Sequence, residues 1–264
     1  MKIIRLIFSK LPEGRFKDGI RRHIFKMTNY LFYLLSYFSV NKEKVLLDEK
    51  RKIYGNFYKI PFIHFDMEYG ILKGYTNHYT PKEGDTVIDA GAFHGVYTIY
   101  ASKLVGNTGK IYAFEPEELS YRMLLKNIKL NNLSNVVVIK KGLWSKNCSM
   151  GFRTFKAGNS ISCFSKDKTE TTSINLVKLD DYVEENNIKK IDFIKMDIEC
   201  AELEALSGMK NTIEKGETNF AIASYHRING EKTCYKLESL FERAGYKTFT
   251  GFSNHLTTYA WNRK

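Results

Sequence analysis

The residues best suited to chemistry begin with a glycine loop and the carboxylate that follows it. A predicted strand over 86–89 runs into glycines at 91 and 95, in a D-x-G-x-x-x-G frame that starts at Asp89. Gly91 allows a tight turn close to a ligand, and Gly95 stands where a helix N-terminus offers free N–H groups. Glu115 comes 24 residues after Gly91, where a carboxylate can accept hydrogen bonds from two ribose hydroxyls. Each feature alone also fits a turn or a helix N-terminus, but the spacing favours nucleoside binding.

A second group of reactive side chains follows the fourth and fifth predicted strands. Asp197 and Glu199 come after the fourth strand, and Tyr225 and His226 come after the fifth. The carboxyl ends of parallel strands share one edge of an open sheet, so we expect these side chains around one crevice. His226 is the predicted general base, because an unperturbed histidine has a pKa of about 6.5. Asp197 and Glu199 are predicted to orient substrate hydroxyls or His226.

Each of these assignments has a simpler alternative. His226 also fits a structural histidine at a strand end, and the carboxylates, with Glu202, also fit the N-terminus of the next helix. Three carboxylates could in principle bind Mg²⁺, but no second ligand cluster is evident in the sequence, and we predict no metal. His94 fits packing against an adenosine as well as catalysis.

Strands alternate with amphipathic helices after residue 85, which predicts a parallel sheet covered on both faces. The predicted strands span 86–89, 110–114, 135–139, 191–197, 220–224, 246–252 and 256–262, and the predicted helices span 96–105, 117–131, 201–214 and 231–244, with one more from about 180. Residues 143–180 are predicted to form a β-rich insertion, with strands at 150–152 and 161–164. The last two strands have no helix between them, so we expect a hairpin in which one strand runs antiparallel.

The spacing of the glycines in this loop distinguishes between two classes of nucleoside cofactor. A nicotinamide enzyme more typically has G-x-G-x-x-G and a continuous parallel sheet, whereas this loop is wider and an antiparallel strand is expected. S-adenosylmethionine carries no pyrophosphate, so backbone groups and a few polar side chains suffice to bind it. The pattern therefore favours S-adenosylmethionine.

Five sequence blocks together resemble the FkbM-type methyltransferase family. In order, they are VIDAGAFHG at 87–95, AFEP at 113–116, NIKLNN at 127–132, LDDY at 179–182 and IDFIKMDIECAE at 191–202. The last block is the most specific, and the resemblance covers about 80–215. It implies an α/β, class I methyltransferase (Rossmann-like) fold with a seven-stranded sheet whose last strand is antiparallel. It also implies O-methylation of sugars and other hydroxylated metabolites as the usual activity.

The resemblance further implies which residues hold the cofactor. By position, it places Asp89, Gly91, Ala92, Gly95 and Thr98 at the amino-acid end of S-adenosylmethionine, Glu115 at its ribose, and Gly142 and Leu143 at its adenine edge. Pro116 is also predicted to bind the cofactor. Two positions depart from the family, which usually has Asn in place of Phe93 and Gly in place of Cys200. The first departure puts one polar cofactor contact in doubt, and the second indicates a turn that accepts a side chain.

The positive charge of the chain is concentrated at its N-terminus. The 264 residues carry a net charge of +12, and residues 1–60 hold 14 Lys and Arg against 5 Asp and Glu. An apolar, aromatic stretch over 30–40 is too short for a bilayer span, which needs about 20 residues. With the basic residues before it, this stretch fits a peripheral contact with anionic lipid. The alternative is a helix that packs on the domain behind it.

Length and composition fit one large domain with an appendage. Hydrophobic residues make up 43% and charged residues 27%, which excludes a disordered or collagen-like chain. We predict a basic, aromatic N-terminal extension over 1–80, helical and then in short strands, and an S-adenosylmethionine-binding domain over 81–264. The 4 cysteines form no C-x-x-C pair, so they indicate neither zinc nor disulfides and fit a cytoplasmic compartment.

The predicted function is therefore O-methylation of a hydroxyl on a sugar, glycan or glycolipid. An RNA methyltransferase is one alternative, favoured by the net charge of +12 but weakened because only +3 of it lies beyond residue 60. A non-catalytic, membrane-associated protein with a methyltransferase-like fold is the other. We expect a sugar or glycolipid acceptor rather than nucleic acid.

Overall fold

The computed structural model describes residues 39–40, 44–58, 60–153, 171–228, 230–252 and 255–262. In chain order the elements are β1 (Ser39–Val40), β2 (Val45–Asp48), β3 (Ile53–Gly55), β4 (Ile60–Pro61), α1 (Phe62–Tyr75), β5 (Thr86–Ala90), α2 (Val96–Val105), β6 (Lys110–Phe114), α3 (Glu118–Leu130), β7 (Val136–Ile139), β8 (Gly142–Leu143), β9 (Cys148–Arg153), β10 (Thr171–Val177), α4 (Leu179–Glu185), β11 (Phe193–Met196), α5 (Glu202–Ser207), α6 (Lys210–Glu214), β12 (Asn219–Ala223), β13 (Arg227–Ile228), β14 (Glu231–Lys232), α7 (Thr233–Arg243), β15 (Lys247–Gly251) and β16 (Thr257–Trp261).

Seven of these strands form the central sheet, in the order β15-β16-β12-β11-β5-β6-β7. Within this sheet β16 pairs antiparallel with both of its neighbours, and the other pairs are parallel. The predicted α/β class I methyltransferase fold, with its antiparallel last strand, is confirmed. The carboxyl ends of the parallel strands share one edge of the sheet, which we call the carboxyl edge.

Alternating side chains of the strands bury two cores, one on each face of the sheet. Val87 belongs to one core and Ile88 to the other, as the two-residue period of a strand requires. Helices α1, α2 and α3 cover the first core, and α4, α5, α6 and α7 cover the second. Because both faces are covered, the inner strands β5, β11 and β12 are buried along almost their whole length, whereas the edge strand β15 is exposed or half-buried.

Two short helices replace the single helix predicted over 201–214. The chain breaks between α5 and α6 at Gly208, where a β-carbon would overlap the carbonyl oxygen of Trp144. Asp180 then fixes the start of α6, because its carboxylate accepts hydrogen bonds from the N–H groups of Asn211 and Thr212 at 2.8 and 3.0 Å.

The structure also differs from the prediction before residue 80. Residues 62–75 form helix α1, although the aromatic and glycine-rich sequence predicted short strands there. Leu72 and Tyr75 near its end are buried in the first core together with Leu47, Ile53 and Phe57. This burial of one helix face outweighs the β propensity of the aromatic residues.

Several predictions fall on residues that the structure does not describe. The basic residues before residue 39 lie outside the described residues, and so does the aromatic stretch over 30–40 except for Ser39 and Val40 of β1. The predicted lipid contact falls on this segment. The predicted strand at 161–164 also lies outside the described residues, whereas the one at 150–152 is part of β9. None of the helices described here is long and apolar enough to cross a membrane.

Candidate active site

The glycine loop connects β5 to α2 at the carboxyl edge. Gly91, Phe93 and Gly95 have φ angles of 75°, 49° and 89°, so three residues of this turn adopt the left-handed region. The N–H group of Gly91 donates to the carbonyl of Phe114 at 3.0 Å, which ties the loop to the end of β6. A β-carbon on Gly91 would overlap the carbonyl oxygen of Asp197. Glycine is therefore required at position 91 by backbone conformation and by the close approach of the residue after β11.

Glu115 closes the other side of this loop. It is 5% exposed, and its two oxygens accept hydrogen bonds from the N–H groups of Phe93 at 2.8 Å and Glu117 at 2.9 Å. Burial raises the pKa of Glu115 to about 7, although both hydrogen bonds act to lower it. A carboxylate oxygen has two lone pairs, so each oxygen keeps one for a further donor.

A buried ion pair lies beneath the loop. Asp89 has no exposed surface, and it is bound by the ammonium of Lys195 at 3.0 Å and by the hydroxyl of Thr98 at 2.5 Å. Lys195 also donates to the carbonyl of Gly91 at 2.7 Å. Asp89 and Thr98 therefore anchor the loop from below, and Ala92, which is 2% exposed, packs in the core. Their direct contact with a cofactor stays a prediction.

The predicted adenine edge lies next to Glu115. Gly142 packs against Pro116, since a β-carbon on it would lie 3.5 Å from Cγ of Pro116. Leu143 is 2% exposed and packs in the second core. The structure thus brings the two predicted cofactor segments together at the carboxyl edge, while their roles stay predictions.

Asp197 lies at the end of β11, where three side chains donate to its carboxylate. The hydroxyl of Tyr75 and Nε2 of His255 lie 2.8 and 3.2 Å from Oδ2, and the hydroxyl of Tyr225 lies 3.2 Å from Oδ1. Burial alone would raise the pKa of Asp197, but the hydrogen bond and charge of His255, with Lys195, lower it to about 2. Asp197 is therefore a fixed anionic centre.

His226 lies between two further carboxylates. It is 8% exposed, with Nε2 at 3.2 Å from Oε2 of Glu199 and Nδ1 at 3.5 Å from Oε1 of Glu202. Burial would lower the pKa of His226, but the hydrogen bond with Glu199 and the charges of Glu202 and Asp197 raise it. The three residues predicted to be catalytic, Asp197, Glu199 and His226, thus share one cluster. Their individual roles stay predictions.

Sequence reasoning missed three residues of this cluster. His255 lies in the turn before β16, and the predicted hairpin could have indicated it, since such a turn must lie at the carboxyl edge. Tyr75 comes from helix α1, which the sequence did not predict, and Lys195 is a charged residue inside a strand that otherwise reads as apolar. Tyr225 was placed correctly, and its ring lies 4.0 Å from that of His226 and 4.6 Å from that of His255.

Comparison with known proteins identifies the family. The FkbM methyltransferase domain matches residues 89–248, which is more than half of the chain and includes both the glycine loop and the histidine–carboxylate cluster. The chain belongs to the FkbM methyltransferase family. It is a methyltransferase of the S-adenosylmethionine-dependent class.

Three known proteins show how far the similarity extends. The chain is 27% identical to methyltransferase 1 of Beauveria bassiana, over 63% of this chain and 75% of that protein. It is 28% identical to the hexuronic acid methyltransferase AglP of Haloferax volcanii, over 60% of this chain and 63% of AglP. The crystal structure of an FkbM methyltransferase from Methylobacillus flagellatus KT superposes with a TM-score of 0.54 and 18% identity, over 70% of this chain and 46% of that one. At 18% identity, the similarity to this crystal structure supports the fold alone.

The two departures from the FkbM pattern fall where the backbone is left-handed. Cys200 has a φ of 78° and Glu199 before it has a φ of 55°, which explains why glycine is usual at position 200. Phe93, with a φ of 49°, replaces an asparagine, a residue that tolerates this region better. The turn after β11 does accept a side chain, at a cost in backbone strain of about 1–2 kcal/mol.

S-adenosylmethionine, the cofactor that membership of the FkbM methyltransferase family implies, fits the residues of the carboxyl edge. A nucleoside requires an acceptor for its ribose hydroxyls, and Glu115 is a buried carboxylate with a lone pair left on each oxygen. The N-terminus of α2, which follows the left-handed turn from Gly91 to Gly95, supplies backbone N–H groups at the same edge.

Proposed function

We propose that this enzyme transfers the methyl group of S-adenosylmethionine to a hydroxyl of a sugar, glycan or glycolipid. The observation that carries the proposal is the pair of buried His226 and half-buried Glu199, whose Nε2 and Oε2 atoms lie 3.2 Å apart at the edge that also holds the glycine loop. The similarity to AglP, which is named as a hexuronic acid methyltransferase, supports a sugar acceptor.

A hydroxyl acceptor explains why the enzyme needs a histidine and several carboxylates. A sugar hydroxyl is barely ionised at neutral pH, so its proton must leave as the new bond forms. The bond between the methyl carbon and the sulfonium sulfur breaks, a bond from the methyl carbon to the acceptor oxygen forms, and the proton passes to the Glu199–His226 pair. The side chain of Glu199 is 29% exposed, whereas that of His226 is 6% exposed, so Glu199 is the member open to a substrate.

Tyr225 supports a sugar as the acceptor. It is 39% exposed, and its hydroxyl donates to Asp197 at 3.2 Å. A sugar has apolar C–H faces and hydroxyls on the same ring, so it suits an exposed aromatic ring beside hydrogen-bonding carboxylates.

The remaining predicted residues hold and position the cofactor. When bound, S-adenosylmethionine supplies an electrophilic methyl group. Glu115 accepts hydrogen bonds from the ribose hydroxyls, and the backbone from Gly91 to Gly95 binds the amino-acid end. Lys195 positions the loop, because it joins the carbonyl of Gly91 to the carboxylate of Asp89.

Transfer of labelled methyl groups to cell fractions tests the proposal. The full chain is incubated with methyl-labelled S-adenosylmethionine and with polysaccharides, glycolipids and RNA from the source cell. We expect label in a glycan or glycolipid fraction, and we expect Glu199→Gln to lower kcat by about 100-fold or more while cofactor affinity is kept. Glu204→Gln, an exposed change on helix α5, which begins three residues after Glu199, is the matched control.

Two results would contradict this function. Label confined to RNA would favour a nucleic-acid acceptor, which the net charge of +12 makes the second candidate. Calorimetry that shows no binding of S-adenosylmethionine to the folded chain would favour a non-catalytic protein.

A further inference from the structure

Three electron-pair donors converge in the cluster at the end of β11. Asp197, Glu202 and His226 each present one oxygen or nitrogen atom, and these atoms all lie within 4.8 Å of one another. Glu202 has no exposed surface and His226 is 8% exposed, so this is not the solvated acidic patch that is common on protein surfaces.

The hydrogen bond of His226 determines where its lone pair points. Nε2 lies 3.2 Å from the carboxylate of Glu199, which places the N–H on Nε2 in the neutral ring. Nδ1 then carries a lone pair and faces Oε1 of Glu202 at 3.5 Å. Two electron-pair donors in this position repel each other unless a proton or a cation lies between them.

Glu202 gives an independent indication of a missing partner. Its Oε1 accepts a hydrogen bond from the N–H group of Ile198 at 3.1 Å, while Oε2 is buried without a hydrogen-bond partner among the residues that the structure describes. A buried carboxylate oxygen in this state costs free energy until an ion or a donor satisfies it.

We propose that Asp197, Glu202 and His226 bind a divalent first-row transition-metal ion, for which Mn²⁺ is the probe. Mg²⁺ and Ca²⁺ prefer oxygen donors alone, whereas an imidazole with two carboxylates suits the transition ions. A metal-bound histidine commonly donates its other N–H to a carboxylate, as His226 does to Glu199. The inference departs from the sequence prediction of no metal, because the sequence did not show that His226 and Glu202 face each other.

The role of this ion rests on the proposed function. Three protein ligands leave coordination positions open for hydroxyl oxygens of a sugar. A bound ion would supply Lewis acidity that lowers the pKa of the acceptor hydroxyl, and half-buried Glu199 would accept the proton. Binding of the ion itself does not depend on that role.

Electron paramagnetic resonance of Mn²⁺ with the full chain tests the site. We expect one Mn²⁺ per chain, with nitrogen coupling from the imidazole in the spin-echo spectrum of the wild-type protein. Asp197→Asn and Glu202→Gln are each expected to weaken binding at least about 100-fold, and Glu199→Gln about 10–100-fold. Glu204→Gln is expected to bind Mn²⁺ as the wild-type protein does.

The outcomes separate the metal site from the methyltransferase function. No saturable binding of Mn²⁺ or Zn²⁺ to the folded chain, binding that Glu202→Gln leaves unchanged, or a spectrum without nitrogen coupling would overturn the site and indicate that a proton lies between His226 and Glu202. If a variant fails to fold, the nitrogen coupling of the wild-type protein still decides. Metal binding without methyl transfer to any sugar fraction would support the metal site and contradict the proposed function. Methyl transfer to a sugar fraction without metal binding would support the proposed function and contradict the metal site.

Discussion

Replacement of Glu115 by glutamine is expected to change how the stability of the free protein depends on pH. Burial raises the pKa of Glu115 from 4.5 to about 7. A group whose pKa is higher in the folded state contributes stability that is fully present below its unfolded pKa and is lost as pH rises through its folded pKa. The wild-type protein therefore loses stability between about pH 4.5 and 7 through this group, and Glu115→Gln does not.

The size of this effect follows from the shift itself. At about 1.4 kcal/mol for each pKa unit, the shift corresponds to about 3 kcal/mol of unfolding free energy. The 5% exposure of Glu115 means that solvent screening reduces this value little. The absolute stability of the variant is a separate matter, because glutamine cannot accept the hydrogen bonds of both Phe93 and Glu117.

Urea denaturation of both proteins between pH 5 and 8.5 measures the effect. The difference in unfolding free energy, wild type minus Glu115→Gln, is expected to fall by about 2.5 kcal/mol across this range, since part of the loss has already occurred at pH 5. In the same series, affinity for S-adenosylmethionine is expected to rise with pH up to about 7 in the wild-type protein alone, because the ionised carboxylate is the better acceptor for ribose hydroxyls. If the two curves of unfolding free energy against pH stay parallel within about 0.5 kcal/mol, the pKa of Glu115 is not raised and the predicted pH dependence is wrong.

Two further predictions concern the same edge of the sheet, and a third concerns the basic N-terminal segment. Lys195→Met leaves the carboxylate of Asp89 buried without its cation, so urea denaturation should show a loss of about 3–5 kcal/mol, and a loss below 1 kcal/mol would contradict the anchoring role. Gly91→Ala forces a side chain into a left-handed turn against Asp197. The thermal midpoint of unfolding should fall, and S-adenosylmethionine binding should weaken at least about tenfold. An unchanged affinity in calorimetry would contradict the predicted role of this loop in cofactor binding. A chain that starts at residue 45 should partition onto anionic vesicles less than the full chain, since it lacks the basic aromatic segment, and equal partitioning would remove the proposed lipid contact.

The sequence predicted the central sheet well because two local signals agreed. Strands such as 110–114 are apolar runs between turn residues, and the helices between them have a regular apolar face. The spacing of Gly91 and Glu115 then placed both residues at one edge, and the structure joins them through the hydrogen bond from Phe93 to Glu115 at 2.8 Å.

The sequence could not predict features that depend on tertiary contacts. Helix α1 forms because one of its faces is buried, so the hydrogen bond from Tyr75 to Asp197 could not be predicted from the local pattern. Glu202 fits a solvated helix N-terminus by sequence, yet it is fully buried, because the left-handed backbone at Glu199 and Cys200 turns the start of α5 towards His226. The burial of Glu202 favours the proposed metal ligand over a solvated surface charge.

The charges of the carboxyl edge explain why the cofactor site and the proposed metal site lie together. Five carboxylates lie at or beneath this edge, those of Asp89, Glu115, Asp197, Glu199 and Glu202, and Lys195 is bound to that of Asp89 at 3.0 Å. One permanent cation cannot balance this charge, and burial makes the imbalance more costly than it would be in water. The edge therefore favours ligands that carry positive charge. The sulfonium of S-adenosylmethionine is one such ligand and a divalent ion is another, so a single electrostatic cause accounts for the cofactor and for the proposed metal site.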